Sequence, residues 1–367
     1  MVPVEVGNDV DACIRFYNDQ CLHGLVTQQL PSSGDVTSCI QSIQSGPCDY
    51  VRTPQDSPAC GWLDGGADAG VAGAVTEFPL PTASAEPEGI ASGPDGNLWF
   101  TEWVGNNVGK ITTAGAITEY PIPTSASEPA SVTSGPDGNL WFTEYHGNNI
   151  GQITTAGVVT EFPVPTAPSE PEGITSGPDG NLWFTEYHGN NIGQITTAGV
   201  VTEFHIPTAS SSPTWITSGP DGNLWFTESA NGANKIGRVT TAGAITEFSI
   251  PTASAGPSGI TSGPDGALWF TESNANYIGR ITTAGAITEY PVPTASAAPD
   301  GIVSGSDGNL WFTEYHGNNI GRITTAGVFT EFAVPTGASE PEGIVSGPDG
   351  NLWFTEWVGN NIGRMAP

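Results

Sequence analysis

The segment Asp-Gly-(Asn/Ala)-Leu-Trp-Phe-Thr-Glu occurs seven times in this chain of 367 residues, and no other sequence feature constrains the fold as strongly. Successive copies are 42 residues apart, except for one interval of 44. Their first residues are Asp95, Asp137, Asp179, Asp221, Asp265, Asp307 and Asp349. The repeats fill residues 74–367, which excludes a conventional two-domain enzyme in that region.

Each repeat predicts four strands. In the first repeat, residues 89–93 lead into the turn Pro94-Asp95-Gly96, and strand-like segments follow at 97–102, 107–112 and 116–120. Four short strands in about 42 residues are typical of a propeller blade rather than of a helical solenoid. We therefore predict an all-β, seven-bladed β-propeller. We expect the lone strand at 74–78 to complete the last blade and close the ring.

The first 64 residues have a different composition and contain all five cysteines, Cys13, Cys21, Cys39, Cys48 and Cys60. Two short apolar-periodic stretches predict a small helical hairpin, followed by a Gly/Ala linker at 65–73. An antiparallel hairpin would place Cys13 near Cys48 and Cys21 near Cys39, although other connectivities stay open. Clustered cysteines favour a secreted, periplasmic or cell-envelope protein with disulfides; the leader was either removed or never present.

The charge of the chain narrows the choice of partners. It has 38 acidic and 8 basic side chains and a formal net charge of −30, which repels nucleic acid and anionic membrane surfaces. No stretch approaches the roughly 18 consecutive apolar residues of a membrane span. We expect a monomer whose partner is a small molecule, a glycan or a cell-surface component.

Residues that are identical in every repeat are most simply explained by the fold. We expect the glutamates that end the aromatic strand to hold backbone donors or to pair with the basic residues of the third strand, such as Lys110 and Arg238. The glutamates of the fourth strand, such as Glu119, look like a solvated edge. Positions that differ between repeats on the loop face we call the top are the candidates for ligand recognition.

One varied set is acidic and lies beside the innermost strand. It comprises Glu88, Glu172, Asp300 and Glu342, with Glu86, Glu128, Glu170 and Glu340 nearby. Because close carboxylates raise one another's pKa unless a cation joins them, this set indicates a site for Mg²⁺, Ca²⁺ or a cationic ligand. The alternative is that these side chains point into water.

The second varied set follows the aromatic strand. It comprises Trp103, Tyr145, His146, Tyr187, His188, Tyr315, His316 and Trp357, with Trp215 on the inner side of blade four. Aromatic faces beside acids suit sugar stacking or a bound cation. Packing between blade and loop is the alternative. Phosphate-binding loops, nucleophile elbows, zinc helices and EF-hand loops are absent from the sequence.

Three phrases of the repeat carry a family resemblance. Pro-Glu-Gly-Ile-x-Ser-Gly-Pro-Asp-Gly-Asn-Leu-Trp-Phe-Thr-Glu, Asn-Asn-Ile-Gly-Arg-Ile-Thr-Thr-Ala-Gly and Ile-Thr-Glu-Tyr-Pro-Val-Pro-Thr resemble the virginiamycin B lyase (streptogramin lyase) family over residues 74–367. The resemblance implies a seven-bladed propeller and a magnesium-dependent elimination that opens cyclic depsipeptide antibiotics. It also implies two histidines and a glutamate, in Pro-His and Glu-Pro-His-Gly contexts, as the functional residues.

At the matching positions this chain has Pro299-Asp300 and Glu340-Pro341-Glu342-Gly343, so Glu340 matches the metal-associated glutamate and both histidines are replaced by acids. Our leading hypothesis is therefore an exported binding module whose acidic, aromatic top face holds a cation, a cationic molecule or a glycan. The alternative is a lyase in which Glu340 binds magnesium and Glu342 or Asp300 is the base. A third hypothesis is a purely structural protein whose charge serves solubility.

Overall fold

The structure is a computed structural model that describes residues 73–230 and 232–367. The predicted hairpin, the cysteine pairing and all but the last residue of the predicted linker lie outside the described residues. The described part consists of 28 strands, and no helix occurs in it. Within that part, no helix is present that is long and apolar enough to cross a membrane.

The strands occupy four positions from the central axis outward. The innermost strands are β2 (Pro87–Ser92), β6 (Pro129–Ser134), β10 (Pro171–Ser176), β14 (Pro213–Ser218), β18 (Pro257–Ser262), β22 (Pro299–Ser304) and β26 (Pro341–Ser346). The second strands are β3 (Leu98–Glu102), β7 (Leu140–Glu144), β11 (Leu182–Glu186), β15 (Leu224–Glu228), β19 (Leu268–Glu272), β23 (Leu310–Glu314) and β27 (Leu352–Glu356).

The third strands are β4 (Asn107–Ile111), β8 (Asn149–Ile153), β12 (Asn191–Ile195), β16 (Lys235–Val239), β20 (Tyr277–Ile281), β24 (Asn319–Ile323) and β28 (Asn361–Met365). The outer strands are β1 (Val75–Pro79), β5 (Ile117–Pro121), β9 (Val159–Pro163), β13 (Val201–His205), β17 (Ile245–Ser249), β21 (Ile287–Pro291) and β25 (Phe329–Ala333).

Seven antiparallel sheets of four strands make the seven blades. Blade one is β2-β3-β4-β5, and blades two to six follow in the same order along the chain. Blade seven is β1-β28-β27-β26, because β1 pairs with β28 from Val75 opposite Met365 to Pro79 opposite Asn361. The predicted all-β propeller and its closure by the first strand are both confirmed.

The hydrophobic core lies between neighbouring blades. Leu98 and Phe100 of blade one share a buried cluster with Trp353 of blade seven, and the same arrangement recurs around the ring. Glycine in the third strand makes room for the aromatic residue beside it, since a Cβ on Gly109 would stand 2.1 Å from the Phe100 ring. The aromatic strand therefore specifies blade-to-blade packing as well as strand pairing.

Hydrogen bonds that run around the axis join all blades. The hydroxyl of Ser134 donates to the carbonyl of Ser92 at 2.6 Å, and Ser92 in turn donates to the carbonyl of Ser346 in blade seven at 2.9 Å. The remaining links complete a circle of seven, made by Ser176, Ser218, Ser262, Ser304 and Ser346. The ring of blades is thus closed by hydrogen bonds near the axis as well as by the pairing of β1 at the rim.

Two predictions about the repeated charged residues are wrong. The third-strand bases stack on the blade tryptophan instead of pairing with the buried glutamates: the Lys110 ammonium lies 5.2 Å from the Trp99 ring centroid. The outer-strand glutamates accept hydrogen bonds instead of forming a solvated edge; Glu161, for example, accepts from the Thr124 backbone N–H at 2.8 Å. The glutamates thereby satisfy backbone N–H groups of the segments that connect the blades.

Deleting residues 1–79 tests the role of β1 in closure, and deletion of residues 1–72 is the matched control. The longer deletion removes Val75 and Phe78 from the clusters of blade seven and exposes the edge of β28. We expect it to lower the free energy of unfolding by roughly 3 kcal/mol or more in chemical denaturation, and to promote self-association. Equal stability of the two deletion variants would contradict the closure argument.

Candidate functional site

The top face is built on an unusual backbone conformation that recurs in every blade. The residue immediately before each innermost strand has a positive φ, which costs a non-glycine residue about 1–2 kcal/mol. Its carbonyl accepts a hydrogen bond from the loop after the second strand, as in the 3.0 Å contact from the Trp103 N–H to Glu86. The seven residues are Glu86, Glu128, Glu170, Ser212, Gly256, Ala298 and Glu340, with φ between 49° and 60°. The fold requires the conformation, but it does not require glutamate.

Four acids of the innermost strands, Glu88, Glu172, Asp300 and Glu342, are within electrostatic reach of one another and are called the carboxylate ring below. Burial raises the pKa of Glu88 and of Glu342 well above the usual value, and the charges of the other ring members raise it further. The pKa of Glu172 rises to about 8 because of burial and then the charge of Asp300.

Polar contacts satisfy the carboxylate ring only in part. Burial raises the pKa of Asp300, against the lowering effect of a hydrogen bond donated by the Ser258 hydroxyl. One oxygen of Glu88 and one of Glu342 are buried without a hydrogen-bond partner among the described residues. The ring therefore has acceptors that a donor or a cation would satisfy.

The described residues contain no group of three or more His, Cys, Asp and Glu side chains placed to hold a metal ion. The four ring acids are close enough to raise one another's pKa, but they do not form a cluster of metal ligands. Mg²⁺ demands near-ideal octahedral oxygen geometry, so this arrangement does not fit a metal held by the protein alone.

Tyrosine and histidine side chains hold the glutamates around the ring. The Tyr145 hydroxyl donates to Glu170 of the next blade, and the Tyr315 hydroxyl donates to Glu340 in the same way. Burial, together with these acids, raises the pKa of both tyrosines. Although burial alone would raise the pKa of Glu170, the hydrogen bonds from Tyr145 and His188 lower it.

The three histidines of identical Tyr-His-Gly loops have different surroundings. His146 pairs with Glu128 at 2.5 Å, and His188 pairs with Glu170. His316 has Ala298 where the other two loops have a glutamate, and no described carboxylate pairs with it. It is exposed and contacts Tyr315, with ring centroids 5.2 Å apart. His316 is therefore the imidazole that is free to meet a ligand.

Aromatic rings form a continuous arc over blades seven, one, two and three. The centroid of Trp103 lies 6.0 Å from Trp357 and 5.2 Å from Tyr145, which lies 6.1 Å from Tyr187. Trp215 is outside this arc, since it packs against the hydrophobic cluster that contains Trp225 and Phe270. The contacts in the arc are those of packing between neighbouring loops, and the ligand-stacking role stays a prediction.

A cavity of about 810 Å³ opens beside the arc, over blades five to seven. Its lining combines two members of the carboxylate ring, two aromatic residues, His316 and small polar residues. The lining residues are Ser273, Asn274, Ala275, Asn276, Ser296, Ala298, Asp300, Tyr315, His316, Glu342 and Trp357. The space exists because blade five has Ser273 where blades one to three have Trp or Tyr, and because Gly256 and Ala298 of blades five and six stand where those blades have Glu.

The structure thus brings together five of the predicted site residues in the cavity: Asp300, Tyr315, His316, Glu342 and Trp357. Trp103, Tyr145, His146, Tyr187, His188 and the remaining acids lie outside its lining. Sequence reasoning missed Ser296 and Ala298, which form part of the wall. Ala298 carried a signal, since four other repeats have glutamate at that position, whereas Ser296 carried none, since every repeat has Ser, Ala or Pro there.

Every basic residue of the propeller has a partner away from this cavity. Arg280 donates from Nε to Asp265 at 2.6 Å, and Lys235 pairs with Glu247 at 3.2 Å. The other four stack on blade aromatics: Lys110, Arg238, Arg322 and Arg364. Among the described residues no lysine or arginine lines the cavity, so no permanent cation offsets the charge of Asp300 and Glu342 there.

A family model for the virginiamycin B lyase family matches residues 67–209 and 172–367. The chain belongs to the virginiamycin B lyase family. It is similar to a streptogramin B lyase structure at 42% identity, with a TM-score of 0.76, over 79% of this chain and 96% of that chain. No curated protein matched.

Two further solved structures place this family member in context. It is 43% identical to a catalytically inactive histidine-to-alanine variant of virginiamycin B lyase from Staphylococcus aureus, solved with quinupristin; the match covers 80% of this chain and 99% of that chain, with a TM-score of 0.76. Hydrazine synthase from Kuenenia stuttgartiensis shares the fold alone, at 16% identity over 78% of this chain and 97% of that chain, with a TM-score of 0.66.

Replacing Glu172 by Gln tests the repulsion within the carboxylate ring. Because the pKa of Glu172 is raised to about 8 in the folded state, its contribution to stability is complete at acidic pH and is lost as the pH rises through that value. We expect Glu172→Gln to match the wild type at pH 5 and to be more stable by roughly 1–2 kcal/mol at pH 9, after allowance for partial exposure. Chemical denaturation at both pH values measures the difference. A variant that is less stable at pH 9 would show that ionised Glu172 is favourably paired.

Proposed function

We propose that this member of the virginiamycin B lyase family is a binding module for an organic cation. The carboxylate ring would hold the cationic group, and Tyr315 and Trp357 would contact the apolar part. The observation that carries the proposal is a cavity of about 810 Å³ whose described lining contains Asp300, Glu342, His316 and two aromatic residues but no lysine or arginine. Aromatic faces and carboxylates attract the same ligand, since both favour a positive charge.

Unsatisfied acceptors support a ligand with N–H groups. Glu342 has one buried oxygen without a partner, and Glu88 has another. An ammonium or guanidinium group would donate to such oxygens and would return the raised pKa of Glu342 toward its ordinary value. A neutral glycan would satisfy the oxygens but would leave the repulsion among the ring acids in place. Charge therefore favours the cation over the glycan.

Calorimetric titration with 4-phenylbutylamine and with its neutral analogue 4-phenylbutan-1-ol tests this function. We expect the ammonium form of the amine to bind at least tenfold more tightly than the alcohol. Added salt should weaken the binding of the amine but not the binding of the alcohol. Glu342→Gln should weaken binding of the amine about tenfold, or ~1.4 kcal/mol. Equal affinity for amine and alcohol would contradict the proposal.

Two matched controls separate local contacts from overall charge. Asp349→Asn also removes one carboxylate, but on the opposite face, where the amide oxygen still accepts the hydrogen bond from the Trp353 indole. It should leave the affinity unchanged. His316→Ala should alter binding because His316 lines the cavity, whereas His146→Ala should not, because His146 is paired with Glu128 outside it.

A second candidate function is ring opening by elimination, which a specific observation favours. Asp300 and Glu342 occupy the positions of the two family histidines, and burial raises the pKa of both, as a general base near neutral pH requires. Such a base would take a proton from the carbon next to a carbonyl group while the ester C–O bond breaks, leaving an alkene and a carboxylic acid. Glu340 matches the metal-associated glutamate of the family, but the described residues lack a side-chain cluster for Mg²⁺.

Incubation with quinupristin and Mg²⁺ distinguishes the two functions. Elimination within a ring leaves the mass unchanged, so the linear product is detected by its chromatographic shift and fragmentation. We expect no ring opening, because the relative solved with quinupristin is inactive as a histidine-to-alanine variant and this chain has acids at both histidine positions. Ring opening that Glu340→Gln abolishes and a chelator stops would replace the binding proposal with the lyase function.

A further inference from the structure

Each blade contains two glutamates whose carboxyl groups adjoin inside the protein, apart from the carboxylate ring. One ends the second strand and is fully buried, and the other lies on the outer strand of the same blade. We call these the carboxyl pairs. They are Glu102 with Glu119, Glu144 with Glu161, Glu186 with Glu203, Glu228 with Glu247, Glu272 with Glu289, Glu314 with Glu331, and Glu356 with Glu77.

Blade two illustrates the geometry. Glu144 is 0% exposed, and its Oε2 accepts a hydrogen bond from the Asn149 side chain at 3.2 Å. Its Oε1 is buried and has no donor among the described residues. The neighbouring carboxylate of Glu161 already accepts from the Thr124 backbone N–H. Two ionised carboxylates only accept hydrogen bonds, so nothing would join them in this state.

We propose that each blade binds one proton between its two glutamates, so that the folded propeller holds up to seven protons that the unfolded chain releases at neutral pH. A proton on the buried member provides the missing donor, and the outer member accepts it. The pair then carries one negative charge in place of two, and this charge is stabilised by the Thr N–H of the adjacent connection. The ligand of these sites is a proton, and the two glutamates that bind it are part of every repeat.

The blades that depart from the consensus support this assignment. In blades four and five the asparagine of the third strand is replaced by Lys235 and Tyr277, and both oxygens of Glu228 and of Glu272 lack partners. The glutamate is nevertheless present in both blades, so the asparagine contact does not explain it. Lys235 pairs with Glu247, the outer member of its pair, which offsets part of the repulsion there.

The groups that face the pairs are few. In blade two Asn149 and Glu161 face Glu144, and in blade seven Asn361, Ser339 and Glu77 face Glu356. Blade four adds Lys235 and Ser211. Among the described residues that interact with the pairs directly, only Lys235 is a cation. In blade three, His205 lies one contact away, since its Nδ1 is 3.2 Å from Oδ1 of Asn191, whose amide donates to Glu186.

Burial, more than the adjacent acid, raises the pKa of the buried members, to about 7 for Glu144 and Glu356 and to about 8 for the other five. These values exceed the ordinary value of a glutamate in an unfolded chain. The stability they confer is therefore complete below that ordinary value and is lost as the pH rises through 7 to 8.

Glu144→Gln in the full chain tests the proposal, because glutamine resembles the protonated acid and its amide can donate to Glu161. We expect the variant and the wild type to have the same thermal midpoint at pH 5. Between pH 5 and pH 8, the midpoint of the variant should fall by several degrees less than the midpoint of the wild type. Asp349→Asn, which removes a carboxylate outside the pairs, should retain the pH dependence of the wild type. A variant that fails to fold at pH 5, or that keeps the wild-type pH dependence, would overturn the proposal.

Infrared spectroscopy supplies a readout that does not depend on stability. At pH 6 the carbonyl stretch of protonated carboxylic acids should be present in the folded wild type and smaller in Glu144→Gln, while Asp349→Asn should give the wild-type band. The carboxylate ring contributes equally to all three spectra, so the difference reports on the pair. Identical bands in the wild type and Glu144→Gln would show that Glu144 is ionised and would overturn the assignment.

Discussion

The hydroxyl of the threonine next to the end of the aromatic strand is the contact on which the rest of the propeller depends. Thr101 accepts the N–H of Gly89 in its own innermost strand at 2.9 Å and donates to the carbonyl of Ala130 in the next blade. Five of the seven blades have glycine at the position of Gly89, and in blade one a Cβ there would stand 2.6 Å from that same carbonyl. The innermost strands are thereby held close together, and their second residues converge on the axis. Acids at those positions form one ring rather than seven separate surface sites.

Blade four departs from this pair of hydrogen bonds and shows that the close spacing of the innermost strands still allows a large side chain. Trp215 takes the place of glycine, and Thr227 bonds to the side-chain hydroxyl of Thr214. The blade keeps its four strands, and the tryptophan packs into the neighbouring hydrophobic cluster instead of joining the top face. The fold therefore tolerates variation at the axis, which means that the acids at Glu88, Glu172, Asp300 and Glu342 are not imposed by the architecture.

Repetition explains which features were predictable from the sequence. Strand order, blade number and closure followed from the sevenfold spacing and from turn chemistry, and the structure confirms them. Side-chain direction did not follow: Lys110 and Glu102 lie on neighbouring strands, yet the lysine points to the face of Trp99 and the glutamate is buried elsewhere. The strand pattern predicts on which face of the sheet a side chain lies, but it does not predict which residue that side chain contacts. The cavity was missed for a related reason: Ser296 does not differ in size from its counterparts in other repeats, and the small Ala298 marks a gap only when its neighbours across the blades are known.

The acids of the top face lower the stability of the propeller. Their presence is therefore better explained by function than by the fold. Positive φ at Glu86, Glu128, Glu170 and Glu340 strains the backbone, and the repulsion within the carboxylate ring adds to that cost. Ser212 and Ala298 show that smaller residues serve the fold at the same position. Buried groups with raised pKa values that the architecture does not need are typical of binding and catalytic sites. The carboxyl pairs differ, because a proton and the blade itself satisfy them in all seven repeats. Variation between blades therefore separates the proposed ligand site at the axis from the proposed proton site within each blade.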